Sequence, residues 1–177
     1  MRRLFVALRP PLAMRRALLD LMGGVRGARW QEDDQLHLTL RFIGAVETRA
    51  ADDIAATLRG ITFPRPTIAL SGVGAFDRKG AVHTLWAGIT ADEELKTLCQ
   101  RIDRALVGAG LTPEGRAFRP HITLARLGGG AGSIAPFLAR AATLASAPAT
   151  LDAFVLYESI LGRERATYLT LERYPLR

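Results

Sequence analysis

The sequence predicts an α+β fold built as two related lobes. Three observations predict it. Short apolar strands interleave with amphipathic helices along the whole chain, each half carries a hairpin signal, and the tetrapeptide HLTL at 37–40 returns as HITL at 121–124. The two copies lie 84 positions apart and hold two of the three histidines in the chain. Interleaved strand and helix periods point to helices packed on sheets, and a doubled motif points to internal pseudo-symmetry.

The elements follow in order. RLFVAL at 3–8 reads as a buried strand, stopped by RPP, whose prolines suit the start of a helix over 11–23. Residues 36–43 alternate as a strand, with His37, Thr39 and Arg41 on one face and Leu38, Leu40 and Phe42 on the other. Residues 47–59 have helical composition and end at Gly60. TIALSGVGAF and AVHTLWAGI flank the turn DRKG as a hairpin. Residues 92–108 form the clearest amphipathic helix, striped by Leu95, Leu98, Ile102 and Leu106. FRPHITLARL enters a strand through Pro120, GGGAGS at 128–133 is a loop, and a short helix over about 133–144 follows. Two strands, ATLDAFVLYES and ATYLTLERY, close the chain around ILGRER.

Composition narrows the function classes. The 177 residues, 49% of them hydrophobic, suit one domain over 1–177 with a substantial core. No apolar run reaches the roughly 18–20 residues of a membrane span, and Arg9 with two prolines breaks the first apolar run too early for a signal peptide. A cytoplasmic protein is expected. Cys99 is the single cysteine, which excludes an intramolecular disulfide and a cysteine-based metal site. The net charge is +7, and only two of the 24 basic residues are lysine. Such a surface favours polyanions, although a bias toward arginine codons gives the same composition. GGGAGS lacks the lysine and the strand-to-helix setting of a phosphate-binding P-loop.

The paired motifs carry the chemistry. With a period of two, the histidine and threonine of each tetrapeptide share a face, while the aliphatic residues turn to the core. A lone strand histidine is usually a surface or core residue; two, each with a threonine two positions on, form a matched device. Facing each other, they surround an anion with two hydroxyls and two groups that exchange protons near neutrality. Two histidines without a neighbouring acidic ligand make a poor zinc set, so no metal and no cofactor are expected. No nucleophile elbow supports a serine triad. His83 has no companion motif and reads as structural, or as lining the cleft.

HLTL and HITL resemble the two His-x-Thr-x motifs of the two-histidine (2H) phosphoesterase superfamily. RLFVAL, LHLTLRFIG, LWAGI, FRPHITLAR and the closing LYESIL and TYLTLERYPL resemble, in order, its RNA 2′,3′-cyclic phosphodiesterases, once called 2′-5′ RNA ligases. The resemblance implies a bilobal fold with a cleft between two antiparallel sheets flanked by helices, and acid–base catalysis without metal. By position, His37 resembles the proton donor and His121 the acceptor, while Thr39, Thr123 and Arg126 match phosphate-contacting residues. Strict alternation puts Arg126 opposite Thr123, so the strand must bend or end near it. Phe5 either stacks on a base or belongs to the core. The expected activity is hydrolysis of a ribose 2′,3′-cyclic phosphate at an RNA or oligonucleotide end to a 2′-phosphomonoester, by a monomer needing no protein partner. Ligation forming a 2′-5′ linkage and non-catalytic RNA or nucleotide binding are the competing readings.

Overall fold

The structure is a computed structural model that describes residues 1–163 and 165–177. Strands β1 (Arg2–Leu8), β2 (Ala28–Trp30), β3 (Leu38–Val46), β4 (Thr67–Arg78), β5 (Ala81–Ala91), β6 (His121–Leu127), β7 (Ala149–Thr150), β8 (Ala153–Leu161) and β9 (Ala166–Pro175) alternate with four helices. The helices are α1 (Leu12–Leu21), α2 (Thr48–Arg59), α3 (Glu93–Gly108) and α4 (Ala135–Ala141). A 3₁₀ turn at Asp33–Gln35 leads into β3.

Among the described residues one antiparallel sheet runs in the order β7-β4-β5-β6-β3-β1-β8-β9, with β2 beside β6. The order is two equivalent sets of four strands meeting at β6 and β3. The two sheets expected around the cleft are thus halves of one, joined at a single residue pair, Leu38 with Ile122. They join there because both residues are fully buried aliphatics at the centre of their motifs. Only Leu151 and Asp152 separate β7 from β8, which lie far apart in the strand order, so the sheet must curl.

Helices cover one face of that sheet. Leu95, Leu98, Ile102 and Leu106 of α3 are all buried, as their spacing predicted, and Asp92 caps the helix by accepting from Leu95 N at 2.9 Å. Ile54 and Leu58 of α2, with Met14 and Leu18 of α1, join the same core. The DRKG hairpin forms with Lys79 and Gly80 both at positive φ, 54° and 78°, as a two-residue turn matched to strand twist requires.

Several boundaries differ from the sequence pattern. ATLDAFVLYES is two strands, because β7 pairs with β4 whereas β8 crosses to β1. The helix expected over 133–144 is confined to Ala135–Ala141, with proline in its first turn. The helix expected over 11–23 stops at Leu21, before Gly23 and Gly24 at positive φ. β2 was too short to show a period. In the turn ILGRER, Glu164 lies outside the described residues.

Candidate active site

The two motif strands are antiparallel neighbours where Leu38 meets Ile122. Continuing that register by one residue each way sets His37 against Thr123 and Thr39 against His121. Leu38 and Ile122 are buried on the helix side, so the histidines and threonines all project to the other face. A local two-fold axis through the Leu38–Ile122 pair therefore relates the motifs. It places the two imidazoles on a diagonal, each across from a threonine.

Both strands then break their alternation at the same place. In β3, Val6 pairs with Arg41 and Ala7 with Thr39, leaving Leu40 as an extra residue. In β6, Leu85 pairs with Ala125 and Trp86 with Thr123, leaving Leu124 extra. Each bulge follows its histidine by three positions and turns two successive residues inward. Leu124 and Ala125 are both fully buried, and Arg126 returns to the cleft face. This is the bend that the position of Arg126 demanded.

The matching bulge corrects the pattern expected for residues 36–43. Arg41 turns to the helix side, where its Nε lies 2.8 Å from Asp103 Oδ1 and its Nη1 lies 3.2 Å from Glu114 Oε2. Phe42, expected in the core, is 49% exposed and lines the cleft at the position equivalent to Arg126.

Backbone carbonyls orient both histidines identically. His37 Nδ1 donates to Gln35 O at 2.7 Å, and His121 Nδ1 donates to Arg119 O at 2.6 Å. A carbonyl only accepts, so each ring carries its neutral-state proton on Nδ1 and leaves Nε2 free to exchange one. Gln35, itself buried, bonds through Nε2 to Ala166 O at 2.7 Å and ties this support to β9.

Aromatic side chains enclose each imidazole. The His37 ring centroid lies 4.8 Å from Phe5 and 5.1 Å from Tyr168; that of His121 lies 4.9 Å from Phe76 and 6.3 Å from Trp86. Burial pushes the His37 imidazole down to about 4, partly opposed by its bond to Gln35; the charges of Arg126 and His121 lower it further. Burial also lowers His121, against the Arg119 carbonyl and with Arg126. Phe5 is only 3% exposed and is stacked on Tyr157 at 5.2 Å, so it seats His37 rather than offering a face to a base. Of the roles left open for Phe5, packing takes the core one.

Arg126 is held by a hydroxyl. Its Nη1 donates to Thr84 Oγ1 at 2.8 Å, on the residue directly opposite it in β5, and His83 Nδ1 lies 2.7 Å from the same oxygen. Among the described residues no carboxylate pairs with Arg126. The cleft has a volume of about 590 Å³ and is lined by His37, Thr39, His121, Thr123 and Arg126, together with Phe42, His83 and Thr84. All six sequence-predicted residues border it. Sequence reasoning missed Phe42, Tyr168, Thr84 and Gln35; a bulge cannot be read from residue types, and the other three act through cross-strand contacts.

Comparison with known proteins agrees with this geometry. The profile of the 2′-5′ RNA ligase superfamily matches residues 10–163. An RNA 2′,3′-cyclic phosphodiesterase of Aeropyrum pernix is 34% identical over 143 residues, covering 79% of this chain and 81% of its own. The crystal structure of a Thermus thermophilus protein is similar with a TM-score of 0.81 and 26% identity, over 100% of this chain and 98% of that one. Escherichia coli LigT, crystallised with 3′-AMP, is similar with a TM-score of 0.77 and 25% identity, over 99% of this chain and 98% of that one. With the paired motifs, the shared fold and a relative matched over most of its length in agreement, this chain belongs to the RNA 2′,3′-cyclic phosphodiesterase family of the 2′-5′ RNA ligase superfamily.

Proposed function

We propose that the protein hydrolyses the 2′,3′-cyclic phosphate at an RNA end to a 2′-phosphomonoester, using His37 and His121 as acid and base. The diagonal placement of the two imidazoles on one cleft face, beside Thr39, Thr123 and Arg126, carries this reading. In-line displacement at phosphorus needs a base on one side and an acid on the other, and the local two-fold supplies both.

In this reaction His121 Nε2 takes a proton from water as its oxygen attacks phosphorus. The bond from phosphorus to O3′ breaks, and O3′ takes the proton from His37 Nε2. The products are the 2′-phosphomonoester and a free 3′-hydroxyl, and solvent returns the proton from His121 to His37. Thr39, Thr123 and Arg126 donate to the non-bridging oxygens and stabilise their growing charge. Phe42 offers the base an exposed ring at the other end of the cleft. No step draws on a metal, and among the described residues no three His, Cys, Asp or Glu side chains group as a ligand set.

One observation favours the exchanged roles. His37 is the more depressed imidazole, which suits a base better than an acid. A bound phosphate places negative charge between the rings and raises both, which restores the acid role to His37. Incubating the protein with an oligonucleotide ending in a 2′,3′-cyclic phosphate, with EDTA present, and resolving the 2′- and 3′-phosphate products tests the reading. Turnover to the 2′-phosphate is expected. A 3′-phosphate product, or turnover that EDTA abolishes and zinc restores, overturns it.

A further inference from the structure

A second groove of about 540 Å³ continues from the cleft, sharing Gln31, Arg126, Ala166 and Tyr168 with it. Arg29, Arg163 and Arg165 also line it, and among the described residues its one carboxylate, Glu32, is already paired with Arg165. The groove's floor holds an unusual pair: Arg29 of β2 stands directly opposite Arg126 of β6. Opposed residues of an antiparallel pair lie about 4.5–5.5 Å apart at Cα and project to the same face. Like charges in that relation repel, and among the described residues neither arginine has an acidic partner. A site that holds two guanidinium groups together without a carboxylate is built for an anion with several oxygens.

Taking the cyclic phosphate to bind at Arg126, as proposed above, we infer that Arg29 and the groove beyond it receive the next phosphate of the RNA strand, on the 5′ side of the terminal nucleotide. The polarity of the cleft sets the direction. Phe42 and Leu4 line its opposite end, which suits an apolar base; of the arginines there, Arg116 is engaged by Glu114 at 3.1 Å and Arg3 is exposed to solvent. The basic end lies past Arg126. Substrate length then becomes a determinant of recognition: the protein acts on strand ends in preference to a single nucleotide, because only a strand reaches Arg29.

The test compares a nucleoside 2′,3′-cyclic phosphate with a short oligonucleotide ending in the same group, in the wild type and in Arg29→Ala. The expected result is a kcat/KM for the oligonucleotide lowered about tenfold or more, mainly through KM, with the nucleotide changed less than about twofold. The log–log salt slope for oligonucleotide binding should shrink by about one, as loss of one phosphate contact predicts. Arg29→Lys should recover part of the loss. Equal losses on both substrates, or a larger strand-specific loss in Arg3→Ala than in Arg29→Ala, overturn the assignment. Affinity for an oligonucleotide with a 2′-phosphate end, measured without turnover, separates this inference from the proposed reaction. Binding that depends on Arg29 in a protein that hydrolyses nothing refutes the reaction and leaves the groove standing; binding indifferent to Arg29 in an active enzyme refutes the groove.

Discussion

The strands β3 and β6 share one backbone device and differ in what it presents. Each is entered through an imidazole locked by a carbonyl two residues earlier, carries a threonine two positions on, and bulges one residue later. Past the bulge β3 offers Phe42 and β6 offers Arg126. Their cross-strand supports differ in kind as well: Phe5 stands opposite Phe42, and Thr84 opposite Arg126. The repeated part presents two imidazoles in the same geometry, which the proposed reaction uses as acid and base. The unrepeated part sets an exposed aromatic ring at one position and a guanidinium at the other, an asymmetry that in the proposed reaction gives a nucleotide one way to bind. In the proposed reaction, chemistry resides in what the halves share, and orientation in what they do not.

Removing the shared groups should have the largest effect. His37→Ala and His121→Ala are each expected to lower kcat/KM by about 10²–10⁴-fold, and the double variant by less than the product. In the wild type kcat/KM should follow a bell against pH, displaced to the acid side of the ordinary histidine value near 6.5 because burial lowers both rings. The bell for kcat should lie at higher pH, since the bound anion favours both protonated rings. A substrate with an activated leaving group needs little from an acid and should rescue His37→Ala more than His121→Ala. Rescue of His121→Ala alone would assign the roles the other way.

The unrepeated residues come next. Arg126→Ala should raise the barrier by about 2–4 kcal/mol, as removal of an oriented donor to a developing oxyanion does, with Arg126→Lys intermediate. Phe42→Ala should weaken binding by about 1–3 kcal/mol, read in KM, because stacking acts on the ground and transition states alike. Comparing a natural substrate with one lacking the base separates the two ends: the missing base should abolish the Phe42→Ala effect and spare that of Arg126→Ala. If both variants respond equally to loss of the base, the division of the cleft into two ends is wrong.

What the sequence made legible follows the same division. The motif histidines and threonines were readable because two residues in a regular strand obey a period of two, and repetition marks them out. The period fails at Leu40 and Leu124, where the bulges shift the residues that follow to the other face. Arg41 and Phe42 were accordingly assigned to each other's faces. A bulge is set by pairing with neighbours distant in sequence, here β1 and β5, and no residue type in HLTLRF or HITLAR announces it. The carbonyls of Gln35 and Arg119 are invisible for a simpler reason: every residue has one. Phe5 was left between a base and the core, because the stack on Tyr157, 152 positions away, is beyond any local pattern.

The smallest effect tests whether the Arg126 end is assembled as a unit. Thr84 is 1% exposed, and its hydroxyl accepts from Arg126 at 2.8 Å while lying 2.7 Å from His83 Nδ1. Thr84→Val keeps the shape of the side chain and removes the acceptor, which should cost about 0.5–1.5 kcal/mol of barrier height if the bond's only service is to aim the guanidinium. The same substitution in an Arg126→Ala background should then cost nothing further, because nothing remains to be aimed. A double-mutant cycle on kcat/KM reads the difference directly. Additive losses would mean that Thr84 touches the substrate itself, or that the loss reflects a strained β5 rather than Arg126. The melting temperature of Thr84→Val separates those two outcomes. An unchanged value with additive losses would move Thr84 into direct contact with substrate, and the asymmetry of the cleft would then rest on two polar residues of this half instead of one.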